Sequence, residues 1–422
     1  MKKNTIYESL QATHQAVYIG LDVHKKTIFL AATSQRTWLL EKVFDTQDLS
    51  KLKKALQKLA QLGCLRICYE ASGAGFRLQR LLSEWGFHCE VIAPSLIPTK
   101  PGEKKKCDRL DARKLAEYFA NGLLTSVRIP TPQEEADRDL IRCRFAYRRD
   151  STKAKHRLVK FLARKGRVYH ATAWTLEHRS WLSGHEFQNK ADQLTHGHLL
   201  DDLRILEARL TTLDAEILEL SGLDRYRDHV RVLRGFKGVD TLTAMVFLTE
   251  LGDLKRFGNP RQLMAYLGMV PSVHQSGDTH RGGSITKAGN SYLRHVLVQA
   301  SWNYFGPAKV GKLLAQRQKD LPPWVLEQST NAQKRISKRL NHLSGTRGKC
   351  VAVVAGAREL ACFMAFAILT LDERKAKGLD LQQPMVAELN KGGRPPKASK
   401  LAQDSGSQRG ARPSAMPALC PM

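Results

Sequence analysis

Four acidic residues have the type and spacing to hold a divalent cation: Asp22, Glu70, Asp108 and Asp111. Asp108 and Asp111 lie three apart in residues 107–114 (CDRLDARK), a stretch that reads as the start of a helix. Residues at i and i+3 share a helix face, so both carboxylates can point at one place. Carboxylates converging there repel unless a cation sits between them. Oxygen ligands with open positions suit Mg²⁺ or Mn²⁺. Taken alone, the pair is also explained without a metal, with Asp108 as an N-cap and Asp111 as a first-turn acid welcomed by the helix dipole. The other two acids change the weighing. Asp22 closes the apolar run 16–22, and Glu70 closes the strand-like run 65–70.

The elements that must position these acids follow from the pattern around them. Runs 16–22, 27–33 and 37–44 read as a meander of three strands. Residues 49–62 carry Leu49, Leu52, Leu56, Leu59 and Leu62 at spacings of three and four, an amphipathic helix. A strand at 65–70, a helix at 75–85 and a strand at 89–93 stopped by Pro94 come next, then the Asp108 helix and a last short strand at 126–129. The order β-β-β-α-β-α-β-α is a ribonuclease-H-like layout, a mixed sheet of three antiparallel strands followed by crossover units. In that layout the first and fourth strands are neighbours, so Asp22 and Glu70 meet above the sheet edge and the Asp108 helix docks beside them. Four acids around one pocket are enough for two metals, which stabilise the attacking and leaving oxygens of an in-line phosphoryl displacement. His24, Lys25 and Lys26 follow Asp22 as a solvated turn or a phosphate guide. Lys100, Lys104, Lys105, Lys106 and Arg109 form a basic loop before Asp108, either an approach for nucleic acid or simply solvated.

The composition points the same way. Across 422 residues, Lys and Arg number 68 against 40 Asp and Glu, a formal charge of +28. A polyanionic partner, DNA or RNA, is the usual reason for such an excess. The N-terminus is polar rather than signal-like, and the most apolar stretch, 351–370, carries Arg358 and Glu359 in its middle and reads as a buried helix; no membrane partner is expected. The eight cysteines show neither a CxxC pair nor zinc spacing, and several lie in apolar strand-like runs, as in a reduced cytoplasmic protein.

Residues 139–167 read as one long basic helix with a thin apolar stripe. Arg142, Arg148, Arg149, Lys153, Arg157 and Lys160 are its candidate phosphate contacts, since few acids lie nearby in the sequence to balance them. Leu199, Leu203, Leu206, Leu210, Leu213, Ile217 and Leu220 form a heptad seam, for an intrachain hairpin or for dimerisation. Residues 233–244 have the look of a helix-hairpin-helix turn, in which glycines let backbone approach a phosphate. A polar, glycine-rich loop at 271–289 then leads into a helix from about Asn290. Its Ser276-Gly277 step is either an ordinary turn or a nucleophile among His274, Arg281, Lys287 and Arg294. From about residue 380 the chain is rich in Gly, Pro, Ser and Lys and is expected to be disordered.

Ordered motifs resemble one family across roughly residues 18–371. Residues 19–24 (IGLDVH), 69–73 (YEASG) and 106–116 (KCDRLDARKLA) resemble the Asp-Glu-Asp-Asp motif of bacterial insertion-sequence transposases, a family that includes the Piv-type DNA invertases. Residues 235–244, 266–271 (YLGMVP), 275–277 (QSG), 285–290 (ITKAGN) and 293–294 continue the resemblance. It implies that Asp22, Glu70, Asp108 and Asp111 are metal-binding acids of a RuvC-like domain. It further implies that Ser276 attacks the DNA phosphate, with Ser272 and Ser284 as nearby alternatives that spacing does not exclude. Family membership would also bring a noncoding bridge RNA that pairs with target and donor DNA, and a dimer or tetramer in which serine and RuvC-like domains of different protomers combine.

The expected protein is therefore α/β plus α. It has an RNase H/RuvC-like domain at 16–130, a basic helix and heptad helix for RNA or DNA binding and assembly at 131–230, a helical serine transposase domain at 231–371 and a basic tail at 372–422. The expected activity is a metal-assisted transposase or recombinase acting through phosphoserine on element-end and target DNA in the bacterial cytoplasm, nucleoid-associated when bound. The alternatives are a hydrolytic RuvC-like nuclease or junction resolvase, and a nucleic-acid-binding protein with vestigial acids.

Overall fold

The computed structural model describes residues 16–71, 73–98, 107–276, 279–380 and 382; the side chains of 273–276 and 279–281 lie outside that description. The basic loop residues Lys100 and Lys104 to Lys106, and residues 383–422 of the expected tail, also lie outside it, whereas residues 372–376, expected in that tail, are helical.

A five-stranded mixed sheet forms the N-terminal domain, in the order β3-β2-β1-β4-β5. β1 (Ala16–Val23), β2 (Thr27–Ser34) and β3 (Thr37–Asp45) form the antiparallel meander. β4 (Cys64–Glu70) runs parallel to β1 with Leu21 opposite Tyr69, and β5 (Cys89–Ile92) runs parallel to β4. Burial follows from the pleat: Val17, Ile19 and Leu21 are fully buried on one sheet face with Ile28, Leu30 and Ile67. Helices α1 (Ser50–Ala60) and α2 (Arg77–Glu84) complete this core through Leu52, Leu56, Leu59, Leu78 and Leu82. On the other face α3 (Asp108–Ala120) crosses β1 at Gly20, where an added Cβ would lie 2.2 Å from the Ala112 carbonyl oxygen. Only glycine allows the helix that carries Asp108 and Asp111 to lie this close to the strand that carries Asp22. The expected strand at 126–129 is reduced to an isolated bridge between Ile92 and Ser126, because the short β5 offers it one residue of edge.

Two long antiparallel helices form the middle. α4 (Pro132–Arg164) starts seven residues before the expected position, because Thr131 and Glu134 form a reciprocal capping box and Pro132 occupies the first turn. The heptad seam lies on α6 (Lys190–Ser221) and folds back on α4, making the intrachain hairpin. At its far end Leu158, Phe161 and Leu162 pack with Leu203 and with Leu182 of the short α5 (Leu176–Ser183).

The C-terminal part is mostly helical, with one core shared by α7 (Asp224–Leu233), α8 (Thr241–Leu251), α9 (Pro260–Tyr266), α10 (Ser291–Trp302), α12 (Pro323–Arg347) and α13 (Lys349–Ala376), while α11 (Lys312–Gln318) is tied on by the Gln318 amide donating to the Gly235 carbonyl. α13 is long and apolar enough by composition to cross a membrane, yet 61% of its apolar window is buried in this core. Its central Glu359 is paired with Arg335 and Arg339 of α12. A turn at 234–240 joins α7 and α8, and its glycines face protein rather than an open surface: a Cβ on Gly238 would lie 2.5 Å from the Ala300 carbonyl oxygen, and one on Gly235 would lie 2.6 Å from Leu321. The segment expected as an irregular loop is instead a β-hairpin, β6 (Pro271–Ser276) and β7 (Thr279–Ile285). Its polar, glycine-rich strands lack the apolar alternation that marks a half-buried sheet.

Candidate active site

Parallel pairing of β1 and β4 brings the carboxyl ends of both strands to one edge of the sheet. Asp22 and Glu70 each follow the last paired residues, Leu21 and Tyr69. A cavity of about 780 Å³ opens at that edge, lined by Asp22, His24, Lys25, Glu70, Asp111 and Lys114 among others. Asp111 reaches it from the first turn of α3, and Asp108 stands one helical turn earlier at the rim. His24 joins the rim to the strand: its Nε2 lies 3.1 Å from Asp22 Oδ2 and 3.4 Å from Asp108 Oδ1. Ligand atoms of Asp22, His24 and Asp108 all fall within 4.8 Å of one another. Burial raises the Asp22 carboxyl above its ordinary 3.8; His24 opposes this, and the charges of Asp108 and Asp111 push it up further.

The sequence thus located four acids, and the structure brings Asp22, Glu70 and Asp111 to one cavity with Asp108 at its lip. Hard oxygen donors gathered at one open edge fit a divalent cation of the Mg²⁺ or Mn²⁺ type. The place of His24 as a bridge was not foreseen. The signal available was its position, two residues after Asp22 and directly behind the strand that carries it. Arg109 is not part of an approach loop; it and Arg113 both hold Glu41 of β3 at 2.6 Å, fastening α3 to the sheet.

The second candidate site is the hairpin. Ser276 ends β6 opposite Thr279, and its side chain, like those of His274 and Arg281, lies outside the described residues. Ser272 is engaged within the hairpin, donating to the Ser284 carbonyl at 3.1 Å. A Cβ on Gly283 would fall 2.2 Å from that hydroxyl. Ser284 itself is exposed. The base of the hairpin is fixed by close backbone packing: a Cβ on Gly268 would lie 1.9 Å from the Ala288 carbonyl oxygen, and one on Gly289 would lie 2.0 Å from that of Tyr266. Lys287 has φ +54° and donates its N–H to Gly268, and Arg294 donates to the Leu267 and Gly289 carbonyls.

The basic helix α4 differs from expectation in one respect. Distant chain supplies the acids its own sequence lacks: Asp192, Glu207 and Asp214 of α6 pair with Lys165, Lys155 and Arg144, and Asp202 stands 3.8 Å from Arg157. Arg142 grips the buried Glu250 of α8 through two bonds of 2.7 Å. Lys153 meets Asp150 one turn away. Arg148, Arg149 and Lys160 have no acidic partner among the described residues. Arg148, Arg149 and Lys153 line a cavity of about 930 Å³, with Ser291, His295 and Gln299 of α10 on the opposite wall.

Two family models and several known proteins match the chain. A family model described as "Transposase IS116/IS110/IS902 family" matches residues 230–309. A transposase model of the DEDD type matches residues 19–165, the stretch holding all four acids. The protein y4qE of Sinorhizobium fredii (strain NBRC 101917 / NGR234) is 36% identical over 359 residues, 84% of this chain and 88% of the relative. The transposase for insertion sequence element IS1533 of Leptospira borgpetersenii is 33% identical over 344 residues, 79% of this chain and 98% of the relative.

Proposed function

The chain belongs to the IS116/IS110/IS902 family of transposases, enzymes that cut and rejoin DNA, and from that premise we propose how its own residues do so. Asp22, Glu70, Asp108 and Asp111 hold Mg²⁺ or Mn²⁺ at the open edge of the sheet. A cation held there polarises the phosphoryl oxygens and offsets the charge that develops during in-line displacement. The observation that carries this reading is the convergence of Asp22, Glu70 and Asp111 on one cavity from two parallel strands and a helix.

Ser276 is the nucleophile. Its Oγ forms a bond to phosphorus and gives up its proton, while the bond from phosphorus to the leaving DNA oxygen breaks and that oxygen is protonated. A DNA hydroxyl later attacks the phosphoserine, and the serine leaves with a proton restored. Each step exchanges one phosphate ester for another, so rejoining needs no ATP. The engagement of Ser272 with the Ser284 carbonyl supports Ser276 over Ser272.

Arg148, Arg149, Lys153, Arg157 and Lys160 face the phosphates of nucleic acid along α4, and the groove between α4 and α10 gives the first three of them a bed. Arg142 serves that surface indirectly, through Glu250. Arg281 and Lys287 meet DNA beside the hairpin, where Arg294 holds the backbone that presents them. The partners are element-end DNA, target DNA and a noncoding bridge RNA. A dimer or tetramer brings the hairpin of one protomer to the acids of another, in the bacterial cytoplasm.

The test is a covalent-adduct assay. The full chain, expressed with its element's flanking noncoding DNA, is given labelled target and donor DNA with Mg²⁺ and then denatured. A DNA-linked band mapped to Ser276 and absent in Ser276→Ala is the expected result. DNA cut to free ends without attached protein would instead make this a hydrolytic nuclease and remove the serine step.

A further inference from the structure

His24 stands between two carboxylates that come from different elements. Its Nε2 lies 3.1 Å from Asp22 Oδ2 on β1 and 3.4 Å from Asp108 Oδ1 on α3. The backbone sets this place. His24 follows β1 directly, two residues after Asp22, and its ring turns back onto the Asp22 carboxylate. The His24 N–H donates to the Thr27 carbonyl at 2.8 Å, closing the tight turn into β2 and holding the ring over the cavity mouth. The imidazole also lines that cavity.

Ligands at right angles around an octahedral cation with bonds of about 2.1 Å stand about 3 Å apart, and opposite ligands about 4.2 Å. The two separations from the imidazole nitrogen, 3.1 Å to Asp22 and 3.4 Å to Asp108, are those of neighbouring positions around a single ion, and ligand atoms of all three residues fall within 4.8 Å of one another. We propose that His24 is a nitrogen ligand of the cation held by Asp22 and Asp108, a residue the four-acid motif leaves out. The inference rests on the metal-site reading above and goes beyond it in chemistry. An imidazole among carboxylates makes the site borderline rather than hard. Mg²⁺ gains little from nitrogen, while Mn²⁺ and the later first-row ions gain more. The site is therefore built to discriminate in favour of Mn²⁺.

The competing role for His24 is a hydrogen-bonding brace between Asp22 and Asp108 that never touches the ion. Mn²⁺ titration of the full-length protein, followed by electron paramagnetic resonance, separates the two roles. The wild type is expected to show nitrogen hyperfine coupling on bound Mn²⁺ that moves with ¹⁵N-histidine labelling. His24→Ala and His24→Asn are expected to lose that coupling. Their Mn²⁺ affinity should fall about tenfold, against a smaller loss for Mg²⁺. His24 is half exposed, so both variants should keep their thermal unfolding curves. Bound Mn²⁺ without nitrogen coupling in the wild type overturns the inference. So does an unchanged Mn²⁺-to-Mg²⁺ preference in both variants. Asp22→Ala tests the reading underneath: if it binds Mn²⁺ as tightly as the wild type, the metal site itself is wrong. If Asp22→Ala loses the ion and His24→Ala does not alter its coupling or affinity, only the role of His24 falls.

Discussion

Glu250 and Asp22 are both partly or wholly withdrawn from water, and the chain treats them in opposite ways. The Glu250 side chain is 1% exposed and meets a bidentate guanidinium from Arg142 and the amide of Asn290. Asp137 is likewise held by Arg225 and by the Tyr226 hydroxyl, and Glu359 by Arg335 and Arg339. At the sheet edge, Asp22 faces more acids and one histidine, and among the described residues no arginine pairs with Asp22, Glu70, Asp108 or Asp111. A buried acid without a cation is costly. Where the protein needs an acid for structure it supplies its own arginine. At the sheet edge it supplies no arginine: Lys25 and Lys114 line the cavity, and a bound cation would balance the rest of the acids' charge. Asn290 shows what the first arrangement accomplishes. Its side-chain oxygen caps α10 while its amide donates to Glu250, so one buried carboxylate ties α4, α8 and the start of α10 together.

The largest effect expected from this contrast separates activity from stability. Asp22→Asn should lower DNA cleavage by about three orders of magnitude, the scale on which charge-stabilising groups act. Its thermal unfolding in the absence of metal should be unchanged or shifted upward, because a repelling charge is gone. Strand cleavage on labelled DNA and a melting curve on the same preparation check both halves. A large drop in melting temperature would mean that Asp22 belongs with Glu250 as a structural acid. Glu250→Ala should do the reverse to stability, costing about 3 kcal/mol by stranding Arg142 and releasing Asn290. Urea unfolding measures it. An unaltered midpoint would show that the Arg142 pair is ornamental and that the distinction between the two kinds of acid fails.

The same contrast explains what could be read from the sequence. Asp22 and Glu70 were legible because each ends an apolar run, and strand polarity in this topology sends both ends to one edge. Asp111 was legible from its i, i+3 relation to Asp108, though the turn of the helix leaves Asp108 at the rim and puts only Asp111 in the cavity lining. Balancing partners were not legible. Glu250 lies 108 residues from Arg142, and Asp214 lies 70 from Arg144. Nothing local in the basic helix announces them, so α4 looked more exposed to phosphate than it is. The start of α4 was missed for a different reason. Its first turns carry little apolar periodicity, although the Thr131 to Glu134 capping box was there to find. The hairpin at 271–285 was missed because its strands are short, polar and glycine-rich and carry no apolar alternation.

The smallest effect tests whether the acids paired along the α4–α6 hairpin behave as structural acids do. Hydrogen bonds from Arg179 hold the Glu207 carboxyl below its ordinary 4.5; burial opposes this, and Lys155 adds to the lowering. A depressed folded-state value means that the contribution is complete above the unfolded value, so it is present at neutral pH. It is lost as pH falls below about 4.5 and through the lower folded value. The pair is partly exposed, so its worth is less than about 1 kcal/mol. Glu207→Gln should therefore lower stability slightly at pH 7 and progressively less as pH falls through the folded value, flattening the acid limb of a stability-against-pH curve. Asp22 predicts the opposite slope in the metal-free protein. Its raised value favours the folded state at low pH, and that advantage disappears as pH rises through the folded value. Two acids whose acid limbs tilt in opposite directions would be the solution signature of the division drawn here. If Glu207→Gln leaves the acid limb unchanged, the arginine-paired surface acids of α6 contribute nothing to it. The contrast then holds only for acids as buried as Glu250.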